Sequence, residues 1–301
     1  MVSIKNILYF YISICGFMIL FNLLYMFRST QSQFYEKNRK KMWDSLLKSE
    51  FDHLYDHEEP SFFHRTVCFI LLKRVYHLSS FHSCMKEFRE TLPDEVEDYL
   101  STYSALFKKL ALYYGKKDPM YRGYFAHIIG SLNLVDEDDP HEIASILLSY
   151  LDSSTSYCRE EVLYVLYRIG HVGIVEQAVL KINDLSIFHD PTILSKGLIS
   201  FSGDRELLFQ NLWKQRHHLN RNLVVALIAF AGTVDQDYSE ELYEILQDKD
   251  TDILVKIEIL NYFKTHEYSP IYPTLLDYIE KHQLYGEKLA LSSIEIVRRI
   301  F

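Results

Sequence analysis

Glycine and proline are scarce in this chain, at 10 and 7 of 301 residues. So few chain breakers disfavour a loop-rich β-protein and a disordered chain. The four cysteines, Cys15, Cys68, Cys84 and Cys158, show no C-x-x-C spacing, which indicates neither a disulfide framework nor a zinc site. Asn-x-Ser/Thr acceptors are missing as well, and both absences fit a reducing compartment. There is no G-x-S-x-G, no P-loop and no strand-borne G-x-G-x-x-G, so no catalytic or cofactor motif stands out and none is expected. Basic residues are short beyond the first 41 positions. Those positions hold six of the 32 Lys and Arg but one of the 41 Asp and Glu, which leaves an acidic body. Phosphate contacts need a basic face, so no nucleic acid is expected as partner.

What is abundant is apolar and aromatic: 48% of residues are hydrophobic, with 23 Tyr and 19 Phe. The run Ile7–Phe27 carries no charge. Its length as a helix is about 32 Å, enough to cross a hydrocarbon core. No small-residue cleavage site lies close behind it, so residues 1–29 read as a retained single-pass membrane anchor. Arg28, Lys37, Arg39, Lys40 and Lys41 flank its C-terminal side, and the positive-inside bias then places residues 28–301 in the cytoplasm. A single N-terminal span can also export the chain behind it, which leaves an envelope scaffold as an alternative. Residues 30–117 read as long amphipathic helices without a clean period.

From Asp118 a rhythm sets in. Apolar segments begin at Arg122, Arg159, Thr192, Arg221, Lys256 and Lys288, 29 to 37 residues apart, alternating with amphipathic helices. A period of that size is a helical hairpin, which must stack on its neighbours to bury its apolar face. Asp118-Pro119, Asp139-Pro140 and Asp190-Pro191 read as N-caps followed by the first helical residue. Gly170, Gly203 and Gly232 fall at or just past segment ends, where a left-handed cap is expected. The expected fold is all-α: an α-α superhelix over residues 118–301, begun by the irregular helices of 30–117.

The stretch Asp118-Pro119-Met120-Tyr121-Arg122-Gly123-Tyr124-Phe125-Ala126-His127-Ile128-Ile129-Gly130 resembles the second-helix signature of HEAT repeats. Asp250-x-Asp252-x-x-Val255-Lys256 is similar to it with Lys for Arg, and Val165-Leu166-Tyr167-Arg168-Ile169-Gly170 resembles its ending. The third repeat departs from it, with Thr192 in place of Arg. The resemblance implies a scaffold or adaptor that binds a protein, with a membrane-associated complex such as a glycosyltransferase system as partner. It also admits an enzyme or ligand-binding solenoid of the glycosylase or lyase type. Arg122, Arg159, Arg221 and Lys256 recur in register, which suggests an anion groove. The resemblance instead implies a buried structural ladder pairing them with Asp118, Asp250 and Asp252.

Tyr164, Tyr167, Arg168, Lys196, Asn222 and Asn261 lie on the second helices of successive repeats and are the candidate protein-binding residues. Tyr121, Tyr124 and Tyr157 share those helices as core filler or exposed strip. His53 and His57 stand four apart, but His-Leu-Tyr-Asp-His is not a zinc-hydrolase pattern. Asp136-Glu137-Asp138-Asp139 lacks the alternation and glycine of a calcium loop. No metal is therefore expected.

Overall fold

The computed structural model describes residues 4–56, 60–134, 140–153, 155–185, 189–281 and 287–300; for 4–12, 27–32, 140, 153, 287, 299 and 300 it describes the backbone only. Every regular element among them is helical. The chain divides into two units, Met1–Leu110 and Ala111–Phe301.

The first unit is built on α1 (Ile4–Tyr55), followed by α2 (Phe62–Leu72), α3 (Val75–Thr91), α4 (Pro93–Thr102) and the start of α5 (Ser104–Tyr114). No proline and a single glycine, Gly16, fall within α1, so nothing interrupts its 52 residues. Its second half buries Trp43, Leu47 and Phe51, spaced four apart on one face. They pack on α3 and α4, with ring centroids 5.2 Å apart for Trp43–Phe81, 5.3 Å for Phe51–Phe88 and 5.7 Å for Phe51–Tyr99. The first half is different. Residues 13–26 are exposed all round, including Phe17, Phe21 and Leu24 at 71%, 62% and 61%. Of the apolar run Ile7–Phe27, the side chains of residues 7–12 and 27 lie outside those described. Among the described residues, no helix is long and apolar enough to cross a membrane.

The second unit continues with α6 (Pro119–Leu132), α7 (Pro140–Ser149), α8 (Ser156–Ile169), α9 (Val172–Asp184), α10 (Pro191–Ile199), α11 (Arg205–Lys214), α12 (Arg221–Ala231), α13 (Ser239–Gln247), α14 (Ile253–Phe263), α15 (Tyr272–Glu280) and α16 (Glu287–Ile300). The even-numbered helices pack in chain order, α6 on α8, then α10, α12, α14 and α16. Of the odd-numbered helices, α7 packs on α9 and α9 on α11, while α13 packs on α14 and α15 on α16. This arrangement is compatible with a helical-repeat stack.

Local sequence explains the starts of the even helices. Asp118, Thr155, Asp190, Asn220 and Asp252 each accept a hydrogen bond from a first-turn N–H of α6, α8, α10, α12 and α14. The ends differ from the glycine expectation. Gly170 takes the left-handed conformation at φ 72°, but Gly232 is right-handed at φ −67°, and Asn133 provides the left-handed cap of α6 at φ 50°. Gly203 answers a close approach instead: a Cβ there would lie 2.0 Å from the Gly170 carbonyl oxygen.

Candidate functional site

Two glycines set the geometry of α6 against α8. A Cβ on Gly123 would meet Cys158 Cα and the Tyr157 ring at 2.9 Å, and one on Gly130 would meet Val165 at 2.9 Å and the Tyr164 ring at 3.2 Å. Without those carbons the helices approach closely, and the rings of Tyr157 and Tyr164 lie across the glycines. The buried sides of the two helices carry Phe125, Ile128, Ile129, Val162, Val165 and Leu166. The outward side carries Tyr121, Tyr124 and His127 from α6 and Tyr157, Glu161, Tyr164 and Arg168 from α8.

These outward side chains hold one another. His127 Nδ1 lies 3.0 Å from Glu161 Oε2, and its ring stacks on Tyr124 at 6.3 Å. Arg168 donates from Nη1 to the Gly130 carbonyl, while its guanidinium sits 5.8 Å from the Tyr164 ring centre. Burial, and then the Glu161 carboxylate, raise the pKa of Tyr157 and keep its phenol protonated. Tyr121 and Tyr164 remain 47% and 48% exposed. The result is a strip of phenol rings beside one directed cation.

Of the six binding residues expected from sequence, Tyr164 and Arg168 lie in this strip, and Lys196 is exposed on α10. Asn222 and Asn261 are half-buried and already engaged: Asn222 donates to the His189 carbonyl at 3.3 Å and Asn261 to Glu258 at 3.0 Å. Tyr167 requires correction. It is 3% exposed, its ring filling the space above Gly197, where a Cβ would come within 2.3 Å of it. The neighbouring α10 offers a glycine at that point, so the ring turns inward.

The charged residues in register have separate fates. Arg122 and Arg159 are buried. Arg159 donates from Nε to His189 Nδ1 at 3.5 Å. Arg221 is half-exposed and pairs with Asp252, the cap of α14, at 3.2 Å. Asp252 also caps α14, and Asp118 caps α6. Asp250 donates its backbone N–H to Asp248. Lys256 is buried, and its side chain makes no hydrogen bond or ion pair with a described residue.

The first unit holds a polar cluster that sequence reasoning missed. Glu50 accepts from the Tyr103 hydroxyl and, at 3.3 Å, from the Ser61 N–H, and its second oxygen lies 3.4 Å from His64 Nδ1. His64 Nε2 faces the Tyr99 hydroxyl at 2.9 Å and Cys68 Sγ at 3.2 Å. A thiol, an imidazole and a carboxylate in line resemble a nucleophile, its base and an orienting acid. Burial argues for another role. All five side chains are at least nine-tenths buried. Burial pushes the Cys68 thiol up to about 12 and lowers His64. Each group satisfies another, as buried polar groups must, and the cluster ties α1, α2 and α4 together with Tyr103. His64 and Cys68 stand four apart on α2, which was the one signal available in sequence.

His57 and the run Asp136–Asp139 lie outside the described residues. No family model, curated protein or solved structure matches this chain.

Proposed function

We propose that this protein is a membrane-anchored adaptor of the HEAT-like solenoid type, whose α6–α8 aromatic strip binds a membrane-associated protein. The strip carries the proposal. Exposed tyrosines flanking an arginine are the side chains that dominate protein interfaces, because they provide contact area at small entropy cost and a directed charge pair. Here they are already held in place, Tyr157 and Tyr164 by the glycine contacts and Arg168 by the Gly130 carbonyl. Binding therefore orders little.

The anchor reading rests on the uncharged run Ile7–Phe27 and on the exposure of residues 13–26 on every side of α1. A stretch apolar all round and covered by no described residue of its own unit suits a hydrocarbon environment. The basic flank from Arg28 to Lys41 supports a cytoplasmic side for the helical body. A membrane-embedded enzyme or transporter is the partner class, since the anchor confines both to one plane.

A photo-crosslinking residue at Tyr164 in the full chain tests the strip in cells. It is expected to capture a membrane protein, and a Tyr121→Ala, Arg168→Ala double variant to lose that capture while keeping its helical signal. Unchanged capture by the variant refutes the proposal.

A further inference from the structure

A second site lies in the later repeats. Tyr243 and Gln247 of α13, Lys249 of the following loop, Lys256 of α14, and Thr274 and Asp277 of α15 line a cleft of ≈ 770 Å³. Lys256 is 8% exposed. The stem is buried and the ammonium opens on the cleft; an ammonium partly withdrawn from water favours an anion beside it, and the equivalent positions of the stack are supplied differently. Arg159 bonds His189 and Arg221 pairs with Asp252. Asp252, four residues before Lys256, is thereby taken, and it also receives the Leu254 N–H.

The lining polar groups divide into those already satisfied and those that are not. Tyr243 and Thr274 share a hydrogen bond at 3.2 Å, and Asp277 pairs with Lys281. The side chains of Lys256, Lys249 and Gln247 make no hydrogen bond or ion pair with a described residue. All three are N–H donors. Asp248 and Asp250 attract the Lys256 ammonium from beyond ion-pair distance, yet burial outweighs them and lowers its pKa. The site has a cation and no adjacent counterion.

We infer that this cleft binds an oxyanion, a carboxylate or a phosphate group, with Lys256 as its counterion and Lys249 and Gln247 as further donors. The anion supplies the acceptor that the equivalent positions draw from the Asp252 carboxylate or from the His189 ring nitrogen. Binding here uses none of the α6–α8 strip, so either site can fail alone.

The test is thermal unfolding of the full chain in lipid nanodiscs, followed by tryptophan fluorescence, in phosphate, acetate or chloride at matched ionic strength. Phosphate or acetate is expected to raise the Tm of the wild type above its value in chloride. The larger shift of the two names the group. Lys256→Met keeps the apolar stem and removes the charge; it is expected to abolish the shift and to be at least as stable as wild type in chloride. No anion-dependent shift in the wild type, or an equal shift in Lys256→Met, overturns the inference. Should the variant not fold, amine acylation of the wild type decides: phosphate or acetate must protect Lys256 and Lys249 but not Lys288, and equal acylation with and without the anion refutes the site.

Discussion

His64, His77 and His189 all have pKa values lowered from the ordinary 6.5, and in each the first cause is burial. For His189 the value falls to about 4, with the Arg159 guanidinium adding to the effect. The unfolded chain therefore binds these protons before the folded one does. Stability from this source is complete above about pH 6.5 and falls as pH drops below it, until the folded groups titrate, near 4 for His189. The His189 difference corresponds to roughly 3 kcal/mol at full development. Denaturant unfolding at about pH 7 and about pH 5 is expected to show a clear loss at the lower value, and His189→Gln to flatten it. Equal stability at both removes the argument. Two tyrosines give a matched contrast. The Tyr167 hydroxyl is buried without a hydrogen-bond partner among the described residues, whereas Tyr150 donates to the Ala111 carbonyl at 2.5 Å. Tyr167→Phe should be neutral or stabilising by up to about 1 kcal/mol, and Tyr150→Phe destabilising by about 1 kcal/mol, the net value of one buried hydrogen bond, since the Ala111 carbonyl keeps the Gly115 N–H. A larger loss at Tyr167 in the same denaturation series would show that its hydroxyl is satisfied after all.

At the scale of elements, α6 and α8 depend on the absence of two side chains. Gly130→Leu places a branched side chain where Val165 and the Tyr164 ring already stand. The expected cost is about 1–3 kcal/mol of overpacking, together with displacement of Tyr164. Crosslinking from position 164 should then fall by more than crosslinking from Lys196 on α10; equal losses at both positions would place the strip elsewhere. Much of this level was legible in the sequence. Asp-Pro pairs at Asp118 and Asp190 located helix starts because an N-cap and a first-turn proline are local chemistry. The segments beginning at Arg122, Arg159, Thr192, Arg221, Lys256 and Lys288 fall on the helices that pack in order, because an apolar period near one hairpin reports stacking directly. Which tyrosines face outward was not legible. Tyr164 and Tyr167 lie three apart on one helix, and their fates are set by Gly130 on one neighbour and Gly197 on the other. The Glu50–His64–Cys68 cluster was equally hidden, since Glu50, Tyr99 and Tyr103 come from distant parts of the chain and meet only in the folded unit.

For the whole molecule, the consequence of the proposed anchor is confinement. Residues 13–26 of α1 present a continuous apolar surface that in water is an aggregation liability and in a bilayer is solvated. If the segment lies in the membrane, a partner in the same membrane is met at an effective concentration far above its bulk value, commonly reaching the millimolar range for short tethers. A strip of four tyrosines and one arginine can then act with weak intrinsic affinity. Deleting residues 1–28 and altering the strip should therefore fail in different ways. The deletion is expected to keep its helical circular dichroism, leave the membrane fraction and lose capture at ordinary expression, with partial recovery when overexpressed, because raising bulk concentration substitutes for confinement. The Tyr121→Ala, Arg168→Ala variant should stay with the membrane and not recover on overexpression to the same degree. A deleted chain that still sediments with membranes after carbonate washing would show that Ile7–Phe27 is not the anchor. One that captures the partner at wild-type efficiency from the soluble fraction would show that confinement adds nothing to binding.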